Sequence, residues 1–161
     1  MNSRSRQPSM LIARDLMQTS VRTVRPDDRV YDTVKMLVRK GLSGAPVVDA
    51  DRRVVGMLSE KDCIKALVHA VVERLPSHLV EHVMSRDVRT VLPETHYLTV
   101  AHLFLQHPIR RLPVVDGEGR LVGIIGRSDL LKHAIDVFEA APSREAAILY
   151  LSAFEGTIPP S

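Results

Sequence analysis

Two aspartates stand 67 residues apart, each at the opening of an apolar helical run: Asp62 in Ser59-Glu60-Lys61-Asp62, and Asp129 in Gly126-Arg127-Ser128-Asp129. An acidic residue three positions after a Ser N-cap closes a capping box, which satisfies free helix N–H groups and complements the helix dipole. That is one complete reading of Ser59 and Asp62. The other takes the same helix end as an anion site, since exposed N–H groups favour negative charge. A second reactive pair is Arg110-Arg111, directly before Leu112-Pro113. Two guanidinium forks suit phosphate oxygens, although paired surface arginines are also commonly just solvated.

Other chemistry is missing from the sequence. It holds no Ser-His-Asp set with a nucleophile elbow, no P-loop, no G-x-G-x-x-G and no metal-ligand cluster. His78 and His82 are four apart, as are His69 and Glu73, and a helix could juxtapose either pair. No further ligand sits at a spacing that completes a tetrahedral zinc site. Cys63 lies inside the helix begun by Ser59 and reads as a buried, inert thiol. The expectation is a non-enzyme with no metal and no prosthetic group.

The totals agree with a binding module. The 161 residues carry a formal charge of +3 and a pI near 9.3, and 17 of the 22 basic residues are Arg. The excess is mild and spread along the chain, which suits small anions and argues against DNA or RNA, whose binding needs a concentrated basic face. A single cysteine gives no disulfide framework. No secretory signal follows Met1, and no apolar run approaches the roughly 20 residues that span a bilayer. A cytoplasmic protein without membrane attachment is expected. Residues 1–10 read as a disordered lead-in.

Self-comparison supplies the elements that position these residues. Val21-Arg22-Thr23-Val24-Arg25-Pro26 recurs as Val88-Arg89-Thr90-Val91-Leu92-Pro93, and Pro46-Val47-Val48-Asp49 as Pro113-Val114-Val115-Asp116. Arg53-Val54-Val55-Gly56 returns as Arg120-Leu121-Val122-Gly123. At the constant offset of 67, 15 of the 51 positions from 15 to 65 are identical. This is a duplication.

Each copy predicts β-α-β-β-α. A strand Val21–Val24 ends at Pro26. Asp27 and Asp28 offer caps for a helix whose stripe is Val30, Val34, Leu37 and Val38, and Gly41 stops it. In the second copy Glu94 and Thr95 open the helix, Tyr97, Ala101, Phe104 and Leu105 form the stripe, and Pro108 ends it. Strands Ala45–Asp49 and Arg53–Leu58 follow, matched by Leu112–Asp116 and Arg120–Ile125. Their consecutive apolar positions predict burial on both faces. The last helix starts near Ser59, with stripe Ile64, Leu67, Val68 and Val71; its counterpart starts near Arg127. The fold class is therefore α/β (α+β), with the bare sheet face of each unit packed against the other about a pseudo-twofold axis. Beyond the repeats, Pro142-Ser143 breaks the helix and Ser143 caps another, with Ala147, Ile148, Leu151 and Phe154 on its apolar face.

The pattern Asp15-Leu16-Met17, Val21-Arg22-Thr23-Val24, Gly41-Leu42-Ser43-Gly44-Ala45-Pro46-Val47-Val48-Asp49 and Ser59–Asp62, with its echo, resembles tandem cystathionine-β-synthase (CBS) domains, the Bateman module. The resemblance covers about residues 11–135. It implies a lead-in over 1–10, CBS repeats over 11–75 and 76–135, and a helical extension over 136–161. It also implies a nucleotide sensor that binds AMP, ADP, ATP or S-adenosylmethionine as regulatory ligand between the repeats, and a disc-like homodimer.

On the family pattern, Asp62 and Asp129 accept both hydroxyls of a ribose, and Ser59 reaches ribose or phosphate. Gly126 departs from the Ser or Thr usual there, and Ser128 is a replacement hydroxyl. Arg110 and Arg111 contact phosphate, whereas the first copy has Ser43 and Gly44 in their places. The adenine slot falls around Val21, Thr23, Ala45 and Pro46, with Val88, Thr90, Leu112 and Pro113; Val and Pro in strands are also ordinary core residues. The clefts should not be equivalent. The leading expectation is a stand-alone regulatory module acting on a partner protein in trans. The alternative is a dimerisation module with vacant clefts.

Overall fold

A computed structural model describes residues 11–73 and 78–152 of the protein. Its centre is a pair of antiparallel hairpins: β1 (Gly44–Val48) with β2 (Val54–Ser59), and β3 (Arg111–Val115) with β4 (Leu121–Gly126). The aspartate that ends each Pro-Val-Val-Asp run is a turn staple. Asp49 Oδ1 accepts from the amides of Asp51 and Arg53, and Asp116 Oδ1 from those of Glu118 and Arg120, as Asx turns do. The Arg120 guanidinium, which donates to Asp116, leads these groups in holding that carboxyl below its ordinary range. The first turn places Arg52 at φ 64°, where the second has Gly119 at φ 80°.

The expected first strand of each copy shrinks to one parallel bridge, Val24 to Val47 and Val91 to Val114. Val24 N donates to Pro46 O and Val48 N to Val24 O, with the same pair around Val91. The ladder stops because the next donor in register would be the N–H that Pro46 and Pro113 lack.

Each hairpin is flanked by two helices: α2 (Val30–Lys40) and α3 (Glu60–Glu73) in the first repeat, α5 (Tyr97–Gln106) and α6 (Arg127–Ala140) in the second. Gly41 ends α2 at φ 63°, as expected. The predicted stripes of α2 and α5 face the core except at their last positions, with Tyr97 and Ala101 also packed on the second core. Val30, Thr33 and Leu37 are buried and Val34 partly so, while Val38 is exposed; Val100 and Phe104 are buried, while Leu105 is exposed. On a helix packing through i, i+3, i+4 and i+7, position i+8 falls on the rim. The predicted α3 stripe is corrected outright: Ile64, Leu67, Val68 and Val71 are all exposed, and α3 buries Cys63 and Ala66 instead.

Two short helices were not foreseen, α1 (Ala13–Leu16) and α4 (Val80–Val83), and they decide the architecture. Leu11, Ala13 and Leu16 pack in the core of the second repeat with Val100, Leu112 and Ile125, whereas Val80 and Met84 pack in the core of the first with Val30, Val47 and Leu58. Each repeat therefore lends its leading segment to the other. The exchange also replaces the expected helix caps. Val30 N donates to His78 O and Tyr97 N to Leu11 O, so main chain from the crossing segment satisfies the first free donor of each helix. Asp28 instead bonds Arg25 N, and Thr95 bonds Leu92 N, in the turns before α2 and α5.

The opposite sheet faces carry buried Pro46, Val48, Pro113, Val115, Leu121 and Ile124, and there the sheets pack together, joined at Arg53 and Arg120. Met17 seals the surface of Gly123 and Met84 that of Gly56 so closely that a Cβ on either glycine would lie 2.5 Å from sulfur. After α6, Ser143 Oγ accepts from Ala146 N and caps α7 (Arg144–Ser152), as predicted. Ala147 is buried, with Tyr150 and Leu151 packed on the second core. The expected lead-in 1–10, the boundary at 75 and 76, and Phe154 lie outside the described residues.

Candidate functional site

Because the leading segments cross over, the opening of α3 faces a segment and a strand start from the other repeat. A cleft of about 800 Å3 results, within the range of small-ligand sites. Its first-repeat wall is β2 and the start of α3, including Ser59 and Asp62; its other wall includes Val88, Arg89, Arg110 and Arg111. Of its charged lining groups, Lys61, Lys65, Arg89, Arg110 and Arg111 outnumber Glu60, Asp62 and Asp87, so the cleft attracts anions.

The capping reading of Ser59 and Asp62 holds. The Ser59 amide and hydroxyl donate to Asp62 Oδ2 at 2.9 and 2.6 Å, and Asp62 N donates to Ser59 Oγ at 3.2 Å. All of this uses one carboxylate oxygen. Asp62 Oδ1 receives no protein hydrogen bond among the described residues, leaving an acceptor for a ligand at the cleft wall. The structural and ligand readings are thus compatible in one side chain. Arg110 reaches toward the same helix start, with Nη1 3.7 Å from Glu60 Oε2, and Arg111 Nε donates to Ser43 Oγ at 3.3 Å across the repeats. Among the described residues neither arginine is locked in a close carboxylate pair.

The second helix opening differs. Gly126 N donates to Asp129 Oδ2 at 2.6 Å, and Gln18 Nε2, from the crossing segment, donates to Asp129 Oδ1 at 2.9 Å. Ser128 is exposed and makes no bond to Asp129. Of the expected adenine slot, only Val88 lines the 800 Å3 cleft. Ala45, Pro46, Leu112 and Pro113 are buried strand residues, Val21 and Thr23 are half-buried, and Thr90 is exposed. Ser85, Asp87 and Arg89 on the cleft wall were missed by residue type; their signal is their place just ahead of the repeated Val-Arg-Thr-Val, or for Arg89 within it, which acquires meaning only once that segment crosses.

Burial first, then the Asp62 charge, pushes the Cys63 thiol up, which agrees with an inert thiol. His78 precedes α4, so it shares no helix with His82. Among the described residues no three metal-ligating side chains come together, and no helix is long and apolar enough to cross a membrane.

Comparison with known proteins matches the CBS domain twice, over residues 13–69 and 80–136. The chain belongs to the CBS-domain family. This CBS pair is 31% identical over 119 residues to the uncharacterized protein MJ1225 of Methanocaldococcus jannaschii, covering 74% of the pair and 41% of that relative. The MJ1225 crystal structure has a TM-score of 0.69 at 30% identity, covering 76% and 47% of the two chains. The inosine-5′-monophosphate dehydrogenase of the same organism is 32% identical over 120 residues, 74% of the pair and 23% of the enzyme. A crystal structure of CBSX2, a CBS-pair protein of Arabidopsis thaliana, in complex with AMP has a TM-score of 0.70 at 29% identity, covering 78% of the pair and 97% of that chain. The CBS pair thus spans less than half of MJ1225 and under a quarter of the dehydrogenase. Both matched repeats begin inside the segments that cross over, so each match draws its first residues from the opposite core.

Proposed function

We propose that this CBS pair is a regulatory, non-catalytic module that binds an adenine nucleotide in the Asp62 cleft and passes the binding to a partner protein. The observation that carries the reading is the meeting, in one cleft, of a carboxylate oxygen with no hydrogen-bond donor among the described residues and two arginines from the other repeat. Asp62 would take the ribose hydroxyls through Oδ1, Arg110 and Arg111 the phosphate, and the apolar wall near Val88 the base. AMP bound to CBSX2 supports AMP as first choice over ADP, ATP and S-adenosylmethionine.

The module acts as a homodimer. The apolar side of α3, with Ile64, Leu67, Val68 and Val71, and that of α6, with Leu131, Ile135 and Phe138, face outward, and a row of large apolar side chains at helical spacing suits a partner helix. Ligand shifts the pair only by binding one arrangement of the repeats or subunits better than another.

The test is thermal shift with AMP, ADP, ATP and S-adenosylmethionine. At a hundredfold excess over Kd a ligand adds about 2.7 kcal/mol, or roughly 5–11 °C in Tm for a chain of this size. A Tm unmoved by all four ligands refutes the sensor and leaves a dimerisation module with vacant clefts.

A further inference from the structure

The crossing segments place Gln18 and Ser85 at equivalent positions, 67 residues apart. Each is fixed by the same two main-chain bonds to the repeat it crosses to. Gln18 exchanges bonds of 2.9 and 3.0 Å with Ile124, and Ser85 exchanges two of 2.9 Å with Met57. The side chain at this position stands beside the helix-opening aspartate of the opposite repeat. Gln18 reaches it, with Nε2 2.9 Å from Asp129 Oδ1. Ser85 lines the 800 Å3 cleft but is shorter by two carbons and makes no bond to Asp62.

We infer that the Gln18 carboxamide is a built-in occupant of the Asp129 carboxylate, so that the chain binds one nucleotide, in the Asp62 cleft, and its twin cleft is closed to ligand. The inference rests on the nucleotide reading above. Asp62 offers a ribose diol one whole carboxylate oxygen, Oδ1, because both Ser59 donors converge on Oδ2. At Asp129 neither oxygen stands clear: Oδ2 is held by Gly126 N and Oδ1 by Gln18, so a diol must displace a hydrogen bond to a carboxylate, one of the stronger kinds. The arginine pair has no repeat counterpart to help repay that loss, since Ser43 and Gly44 occupy the positions equivalent to Arg110 and Arg111. The glycine at 126 is not what closes the cleft: a Cβ there would meet nothing nearer than 3.4 Å.

Calorimetry on the full chain tests this with AMP and adenosine. The parent should bind one AMP per chain, and Asp62→Ala should weaken that event at least fiftyfold. Gln18→Ser, which copies the twin position and keeps the main-chain bridge, should add a second, weaker event that takes AMP and adenosine within threefold of each other. The added event should vanish in Gln18→Ser/Asp129→Ala. Two AMP per parent chain, or a single event in Gln18→Ser, overturns the role of Gln18 while leaving the nucleotide reading standing. Absence of binding in the parent and every variant overturns both.

Discussion

Replacing Asp62 with Ala separates the two roles that one carboxylate plays. On the structural side, the substitution removes the acceptor for the Ser59 amide and hydroxyl at the start of α3. A lost cap costs about 1 kcal/mol, read as a Tm lower by roughly 2–4 °C at this chain length. On the binding side, it removes both hydroxyl contacts through the carboxylate. Hydrogen bonds to charged groups contribute about 1.5–3 kcal/mol each, and the freed hydroxyls regain water, so the low end applies to each. The sum is about 3 kcal/mol, a rise in Kd of roughly 150-fold. Calorimetry measures the second quantity and thermal melting without ligand the first. Parent protein should bind 2′-deoxy-AMP more weakly than AMP, and Asp62→Ala should bind the two alike. If Asp62→Ala binds AMP within threefold of the parent, or the parent does not distinguish the deoxy analogue, the carboxylate does not hold the ribose.

Substituting both Arg110 and Arg111 with Ala should weaken AMP at least thirtyfold, leave adenosine within threefold, and flatten the salt dependence of AMP binding; equal losses for both ligands would remove the pair from the phosphate site. Gly123→Ala should destabilise the second repeat, because the new Cβ falls 2.5 Å from Met17 Sδ and 2.9 Å from Met17 Cβ. Overpacking of this kind costs about 1–3 kcal/mol, a Tm drop of roughly 2–12 °C, whereas Gly117→Ala, with nothing within 4 Å, should move Tm by less than about 2 °C. Equal Tm values for the two variants would refute the seal.

The amino-acid sequence by itself determined the duplication, the hairpins, the helix starts at Ser59 and Arg127, and the stop at Gly41, because each is a local matter of apolar spacing, turn chemistry or a capping residue. It also singled out Asp62, Ser59, Arg110 and Arg111, since charged side chains at a helix opening or ahead of a buried strand stand out by type. Only the tertiary structure decided which halves share a cleft. The segments 11–18 and 78–85 carry short helices that repeat periodicity does not reveal, and each finds its partner in the other repeat through backbone bonds and burial. Those bonds are blind to residue type, so the pattern of residues could not announce them. The same exchange settled three other points: α2 and α5 are capped by main chain rather than by Asp28 or Thr95, the α3 stripe points outward because Cys63 and Ala66 face the core, and one aspartate keeps an open oxygen while its twin is held by Gln18.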